Sequence, residues 1–374
     1  MRPLELGSAI GPAQKGKRNL DAEVQRPIAP MISRAPYAAA TVETAMAVIE
    51  LKPLSVNSAE WDAFAERCGG SIRATYGYTV AWAAKNVLQY RLRLFEFYLG
   101  GRQGPKIGQC AIGESRRGGS FIFLDRLQLL PTHEPSWRMA MQTVLSVTGS
   151  GQYKYGWVLN LEPAREGHLS EISGVTVVET NPLVVQAVDF SQWSNWDAYY
   201  SAISENTRRN AKSATKNFPD LKVTIKAGAA ALRHVPSLVR LRDHLSERKG
   251  LDNRTAIAAA IGYFGSIMSC RNQMVTAVVT GGGSELSCYY GAEFGQNTYY
   301  LEGASASNNR GAAWQLLIEM LRRAYGRTPT GKFIMGYIDY STHDDEKSSG
   351  LLRSRQACRV TDYATSMVWF RYRA

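Results

Sequence analysis

Hydrophobic and polar residues follow two periods along this chain, and these periods predict its secondary structure. Strand-type alternation begins at residues 45–54, and helical spacing follows around Trp61, after the capping residues Asn57 and Ser58. The predicted strands are 45–54, 91–99, 106–113, 121–129, 156–161, 175–178, 183–188, 221–226, 273–280, 285–294, 298–301, 332–336 and 365–372. The predicted helices are one through Trp61, 78–87, 134–147, 196–216, 230–248, 255–269, one following Arg310, and 348–355.

The two halves of the chain repeat one order of elements: a strand, helices, three antiparallel strands, a helix and a strand. The letters WDAFAE at Trp61 return loosely as WDAYYS at Trp196, as expected for a duplicated domain. A chain of 374 residues is also too long for one ordinary core. We predict a flexible leader at residues 1–44, where Ala, Pro and Arg follow no period, and two domains at 45–190 and 191–374.

The composition of the chain predicts its partners, its compartment and the absence of a metal site. The net charge of +12 predicts attraction to polyanions such as nucleic acid, anionic lipid or phosphorylated metabolites. The absence of an apolar run of membrane-spanning length and of a signal peptide, together with five scattered cysteines, predicts a cytoplasmic protein. The sequence lacks GxSxG, GxxxxGK[ST], HExxH and any spaced Cys/His set, so we predict no metal site.

The stretch from Thr298 to Tyr325 is the strongest candidate for a functional element. An aromatic strand leads into a loop of small and polar residues, and a helix with apolar residues at helical spacing follows. Gly311 and Ala312 stand where the loop meets the helix, and the first amides of a helix lack internal partners. With the cation of Arg310, this arrangement predicts an anion site. A strand–loop–helix connection without a ligand is the alternative.

Three segments carry a resemblance to a known family. Residues 196–200 (WDAYY) followed by 206–212 (NTRRNAK), the loop 310–313 (RGAA) and the segment 350–355 (GLLRSR) resemble the acyl-CoA N-acyltransferase (GNAT) superfold in its duplicated, Fem-type form. The resemblance extends roughly from residue 45 to the end. It implies an α+β fold of two tandem GNAT-like domains, each a mixed, mostly antiparallel sheet flanked by helices.

The sequence departs from the family pattern at three points. Arg355 stands where relatives prefer Lys, and the two side chains are not interchangeable at a close contact. The loop has one glycine, Gly311, where acyltransferase loops commonly have two or three. The first half has no comparable loop, because residues 129–137 read LLPTHEPSW. We therefore expect the first domain to be catalytically inert and to shape the acceptor cleft.

The resemblance implies a role for each candidate residue. Acyl transfer to an amine needs a bound donor, a deprotonated amine and a stabilised oxyanion. Acyl-CoA would serve as a co-substrate, with no tightly bound cofactor. Its pyrophosphate would contact the loop residues Asn308, Asn309, Arg310, Gly311, Ala312 and Ala313.

Candidates for the base or proton relay are Glu302, Tyr337 and Asp339. A surface carboxylate is the alternative for Glu302, and a turn or helix-capping residue is the alternative for Asp339.

Five cations are candidates for holding the substrate. Arg208, Arg209 and Lys212 share one predicted helix, where a solvated basic face is the alternative. Arg353 and Arg355 are two residues apart, so at most one of them should reach the cleft.

These observations leave three functions open. The leading hypothesis is an acyl-CoA-dependent N-acyltransferase that modifies an amine of a small metabolite or of an envelope or polysaccharide precursor. The second is a transferase that uses aminoacyl-tRNA, in the manner of the Fem proteins that build peptide bridges. The third is a non-enzymatic basic module that binds nucleic acid or contacts an anionic membrane peripherally.

Overall fold

A computed structural model describes residues 46–156, 159, 161, 166–250, 255–338 and 346–374. The predicted leader at 1–44 lies outside these residues. The strands are β1 (Met46–Leu51), β2 (Tyr90–Leu99), β3 (Lys106–Ser115), β4 (Ser120–Phe123), β5 (Gln128–Leu129), β6 (Gly151–Tyr155), β7 (Val175–Asp189), β8 (Lys222–Ala227), β9 (Met274–Gly281), β10 (Ser284–Phe294), β11 (Asn297–Ser305), β12 (Lys332–Ile338) and β13 (Thr361–Tyr372). The helices are α1 (Ser58–Arg67), α2 (Tyr76–Lys85), α3 (Trp137–Thr148), α4 (Glu166–Ser170), α5 (Trp196–Ala202), α6 (Glu205–Asn217), α7 (Val235–Lys249), α8 (Ala256–Ser269), α9 (Ala312–Arg327) and α10 (Glu346–Ala357).

The strands form one continuous mixed sheet. Its order is β1-β2-β3-β4-β6-β13-β7-β12-β11-β10-β9-β8, and the short β5 pairs with β3. Within the described residues the pairs β4/β6 and β11/β12 are parallel, and the other pairs are antiparallel. The predicted α+β class with mostly antiparallel sheets is therefore confirmed.

The two halves exchange strands at the centre of this sheet. The last strand, β13, pairs with β6 of the first half, where Tyr372 lies opposite Gly151. Strand β7 of the first half pairs with β12 of the second, where Val184 lies opposite Ile338. Strand β13 also pairs with β7 over its full length, from Thr361 opposite Ala187 to Tyr372 opposite Val175. Hydrogen bonding thus crosses the predicted division at residue 190.

Several predicted elements differ from those of the structure, and two of these differences have a clear local reason. A strand was predicted at 156–161, of which residues 157, 158 and 160 lie outside the described residues. Strand β6 ends before this range at Tyr155, and Gly156 follows it with φ 91° and a position where a Cβ would lie 2.4 Å from the carbonyl oxygen of Ser366. The single helix predicted at 196–216 is two helices, α5 and α6. Ile203 is extended between them, and the Ser204 hydroxyl accepts a hydrogen bond from the amide of Thr207 and begins a new helix.

The three largest of the four apolar cores in the described residues pack against the sheet. One lies in the first half, where Phe121, Tyr153 and Phe370 stack in series. The second lies between the sheet and helices α6 and α9. The third joins the two halves, because Ile72 of the first half packs in the same core as Tyr290 of the second.

Helix α2 meets α8 at this junction with backbone in contact. A Cβ at Gly77 would lie 2.1 Å from the carbonyl oxygen of Ser269, so glycine is required for the two helices to approach. Gly265 of α8 provides a contrast, because a Cβ there meets no atom within 4 Å.

We expect Gly77→Ala to lower the free energy of unfolding by roughly 1–3 kcal/mol, because the helix junction must open to admit the methyl group. Gly265→Ala should raise it by roughly 0.5–1 kcal/mol, since alanine is the better helix former and the space is open. Urea denaturation followed by circular dichroism measures both. Equal effects of the two substitutions would show that the contact does not hold the halves together.

Candidate functional site

The central feature of the second half is a gap between two parallel strands. Strand β11 pairs with β12 only over Asn297–Tyr299, opposite Lys332–Ile334. Beyond these pairs β11 continues beside β10 to Ser305, and β12 continues beside β7 to Ile338. On the facing edges of the two diverging segments, backbone groups have no strand partner within the described residues. We call this gap the wedge.

Irregularities in both strands lie immediately beyond the last shared pair. In β11 the register with β10 shifts between Tyr300 and Glu302, which leaves Leu301 as a bulge. In β12 the register with β7 shifts between Ile334 and Gly336, and Gly336 adopts φ 108°. Each strand therefore bends while it keeps its outer neighbour, and the wedge opens between them.

A buried arginine from α10 lies at the wedge. The Arg355 side chain is 8% exposed, and its Nη1 donates a hydrogen bond to the carbonyl oxygen of Tyr337 at 3.1 Å. A Cβ at Gly336 would lie 2.7 Å from Arg355 Nη2, so glycine makes room for the guanidinium. No carboxylate pairs with Arg355 among the described residues. Burial consequently lowers the pKa of Arg355 to about 10.

Tyr300 is a candidate that the sequence did not single out as a site residue. Its ring packs on Tyr289 and Phe333, and its hydroxyl would lie 2.0 Å from a Cβ at Gly303. Burial raises the pKa of Tyr300, while the charge of Arg355 opposes this shift. The phenol thus keeps its proton and can donate a hydrogen bond. No local pattern distinguishes Tyr300 from the other aromatic residues of the strands.

Glu302 lies on the other face of the sheet, toward α7 and α8. Its Oε1 forms an ion pair with Arg242 Nε at 3.0 Å. Burial raises the pKa of Tyr263, and the charge of Glu302 and a hydrogen bond to Glu302 raise that pKa further. The carboxylate is about one-third exposed, so it remains accessible to a ligand.

Tyr337, Arg353 and Asp339 are the other candidates that the sequence predicted near this position. Tyr337 contributes its carbonyl oxygen to Arg355, while its side chain packs on the core that joins the halves. Arg353 is exposed, whereas Arg355 is buried. Asp339 lies outside the described residues.

The predicted anion loop precedes α9, and its glycine has a structural function. Gly311 adopts φ 95°, and a Cβ there would lie 2.1 Å from the carbonyl oxygen of Asn210 on α6. Asn309 stabilises the turn, because its oxygens accept hydrogen bonds from the amides of Gly311 and Ala312. The expectation that these two amides lack partners is therefore wrong. Within the described structure, the loop amides without a hydrogen-bond partner are those of Asn308, Asn309, Arg310 and Ala313.

A polar cleft of about 400 Å³ lies between this loop and α6. Asn210, Ser213 and Asn217 line it at intervals of three and four residues along one face of the helix. This uncharged stripe was not among the predicted site residues, although its spacing is visible in the sequence. From the loop side, the cleft is lined by Asn309, Arg310, Gly311 and Trp314.

The predicted cations of α6 do not line this cleft. Arg208 donates to the carbonyl oxygen of Ile203 and lies over the Tyr200 ring. Arg209 donates to the side chain of Asn206, and Lys212 is exposed. They form a solvated basic face beside the cleft.

Comparisons place this fold among solved structures. FemX matches with a TM-score of 0.63 at 12% identity, over 87% of this chain and 97% of its own. L-PGS from Bacillus licheniformis matches with a TM-score of 0.51 at 12% identity, over 85% and 92%. A C-terminal domain assigned as a lysylphosphatidylglycerol synthetase from Agrobacterium fabrum matches with a TM-score of 0.50 at 10% identity, over 84% and 92%. No protein-family model and no curated protein matches the sequence.

The fold is therefore the Fem-type, tandem GNAT-like fold that the sequence motifs predicted. The chain has the architecture of FemX over most of both lengths. Among the described residues, no helix combines the length and apolarity needed to cross a membrane. The described His, Cys, Asp and Glu side chains form no group of three that could hold a metal ion.

We expect Arg355→Met to leave the free energy of unfolding at pH 7 unchanged or higher. The lowered pKa corresponds to a cost of about 3 kcal/mol for keeping the buried cation, offset by about 1 kcal/mol for its hydrogen bond. Because the folded-state pKa lies below the usual 12.5, this cost persists at every pH below about 10 and declines only above it. Urea denaturation of the variant measures the balance.

Arg93→Met is the matched control, since Arg93 is also 8% exposed. Arg93 pairs with Glu50 at 2.6 Å and with Glu114 at 3.3 Å, so its loss should cost roughly 2 kcal/mol. If Arg355→Met destabilised the protein as much as Arg93→Met, Arg355 would be a structural residue.

Proposed function

We propose that this protein is an N-acyltransferase that moves an acyl group from acyl-CoA to an amine. The observation that carries the proposal is the wedge between β11 and β12, with the buried Arg355 beside it and no carboxylate to neutralise that cation in the described residues. An unneutralised cation in a desolvated position suits a site where negative charge develops during a reaction.

The chemistry of the proposal uses the two faces of the sheet separately. The acceptor amine would attack the thioester carbon, forming a C–N bond, and negative charge would develop on the carbonyl oxygen. Arg355 and free backbone amides of β11 would stabilise that oxyanion. The C–S bond would then break, and Tyr300 would donate a hydrogen bond to the departing sulfur.

The amine would approach from the face that carries Glu302. Its proton would pass toward Glu302, directly or through a water molecule. Tyr337 and Asp339 remain alternative candidates for the proton relay. Arg353 and the α6 cations would attract an acidic acceptor toward the cleft, and a small metabolite or an envelope or polysaccharide precursor fits this role.

The cleft before α9 supports a donor with a diphosphate. Of the four loop amides without a partner, those of Asn309 and Arg310 belong to residues that line the cleft, and the Arg310 side chain is exposed beside them. The polar stripe of α6 adds amide and hydroxyl groups on the opposite wall. These features match the diphosphate of coenzyme A.

A second candidate is transfer of an aminoacyl group from tRNA. The fold similarity to FemX favours it, because the Fem resemblance implies aminoacyl-tRNA as donor. The exposed residues Arg209, Lys212 and Lys216 on α6 would contact the tRNA backbone. Both candidates share the ester-type carbonyl in the wedge and differ in what anchors the donor.

We expect acetyl-CoA or a longer acyl-CoA to stabilise the protein against heat, by about 2.7 kcal/mol at a hundredfold excess over its Kd. Arg310→Ala should abolish this shift, and Arg209→Ala, which removes a cation outside the cleft, should retain it. Thermal unfolding with coenzyme A, acyl-CoA and aminoacyl-tRNA measures the response. A flat response to every CoA species, with a tRNA shift that disappears in Arg209→Ala, would replace the first candidate with the second.

We expect Arg355→Met to bind the donor with unchanged affinity and to lower kcat by about 100-fold or more, because an oxyanion donor acts mainly in the transition state. The measurement is a single-turnover assay with the donor identified by thermal unfolding. A variant with normal turnover would exclude Arg355 from the reaction. A variant that loses donor affinity instead would assign Arg355 to binding.

A further inference from the structure

Helix α8 exposes a stripe of large apolar side chains. Ile257 is 73% exposed, Ile261 67%, Phe264 54% and Met268 45%. Their spacing of four, three and four residues places them along one side of the helix, over about 16 Å of its length. We call these four residues the α8 stripe.

The opposite side of α8 packs against the protein interior. Ala259, Tyr263 and Ile267 form its buried face, and Tyr263 reaches the Glu302 carboxylate. The helix carries no charged residue, so the stripe is not the apolar edge of an ordinary solvated helix. Apolar surface on both the inner and the outer side of a helix indicates that a partner covers the outer side.

The size of the stripe argues against a second copy of the chain as that partner. At these exposures the four side chains present roughly 400 Å². A stable protein interface buries about 800 Å² on each partner, twice that area. A row of aliphatic and aromatic side chains on a fixed helix is sufficient to enter the boundary between lipid headgroups and acyl chains.

Charge around the helix favours an anionic lipid surface. Arg271 follows the end of α8 and is exposed, and Arg248 is exposed near the end of α7, which packs against α8. Glu247 is the exposed acid beside Arg248. The whole chain carries a net charge of +12, which adds a long-range attraction to negative membranes.

We propose that the α8 stripe docks this protein onto an anionic membrane surface. The four side chains insert between headgroups while Tyr263 and the buried face keep α8 attached to the protein. Because α8 also contacts Glu302, docking brings one side of the wedge close to the lipid surface. The docking itself does not depend on the proposed acyl transfer.

Co-sedimentation with vesicles tests this proposal. The purified chain is mixed with phosphatidylcholine vesicles that contain either no phosphatidylglycerol or about one-third phosphatidylglycerol. We expect binding to the anionic vesicles, and at least a tenfold loss of affinity in the double variant Ile261→Gln/Phe264→Gln. The matched control is Met139→Gln/Val147→Gln on α3, which replaces two exposed apolar residues of the first half and should bind as the unmodified chain does.

Thermal unfolding confirms that both double variants are folded before binding is compared. Arg271→Glu should weaken binding to the anionic vesicles by at least threefold. Equal binding by the stripe variant and the control would overturn the proposal, as would an absence of binding to anionic vesicles. A dimer that dissociates in the stripe variant, without vesicle binding, would assign the stripe to a second copy of the chain.

Discussion

Strand β12 pairs with β7 over a longer stretch than with β11, and the candidate site depends on this difference. On one side β7 pairs with it from Lys332 to Ile338, while on the other side β11 leaves after Ile334. A strand released from one neighbour would fray unless the other neighbour fixed it. Because β7 comes from the first half of the chain, the first half supports the geometry of the wedge in the second.

The exchange of β7 and β13 also explains why the two halves behave as one sheet. Each half contributes a long strand to the centre, and the strands pair with each other over more than ten residues. Separating the halves would expose both strand edges as well as the shared core around Ile72 and Tyr290. The first half can therefore be necessary for the second half to fold.

Local sequence patterns predicted the elements that depend on local physics. Helix α1 begins at its predicted capping residue, where Asn57 accepts hydrogen bonds from two helix amides. The hairpin of β9 and β10 lies within a residue of its predicted bounds. The exchange of strands could not be predicted, because the pairing of Tyr372 with Gly151 joins distant residues whose apolar patterns fit several neighbours.

In the candidate site, too, local features could be predicted from the sequence and contacts between distant residues could not. The loop before α9 was predictable from its small residues, yet the reason for Gly311 was not. The sequence suggested an approach by a ligand, whereas the carbonyl oxygen of Asn210 occupies the space that a side chain would need. The contact joins two helices that are about one hundred residues apart in the chain, so no local pattern reveals it. Tyr300 was equally hidden, since it looks like any aromatic residue of a strand.

Two buried arginines of this fold differ in what surrounds their charges. Arg93 is surrounded by carboxylates that compensate its loss of water, and burial there maintains the structure. Arg355 contacts a carbonyl oxygen and lies near the phenol of Tyr300, neither of which carries a full negative charge. Among the described residues no carboxylate balances this cation, and a ligand can supply the negative charge. Arg355 lies beside the wedge, where a ligand can approach it, so the proposed function depends on Arg355 rather than on the exposed cations of α6.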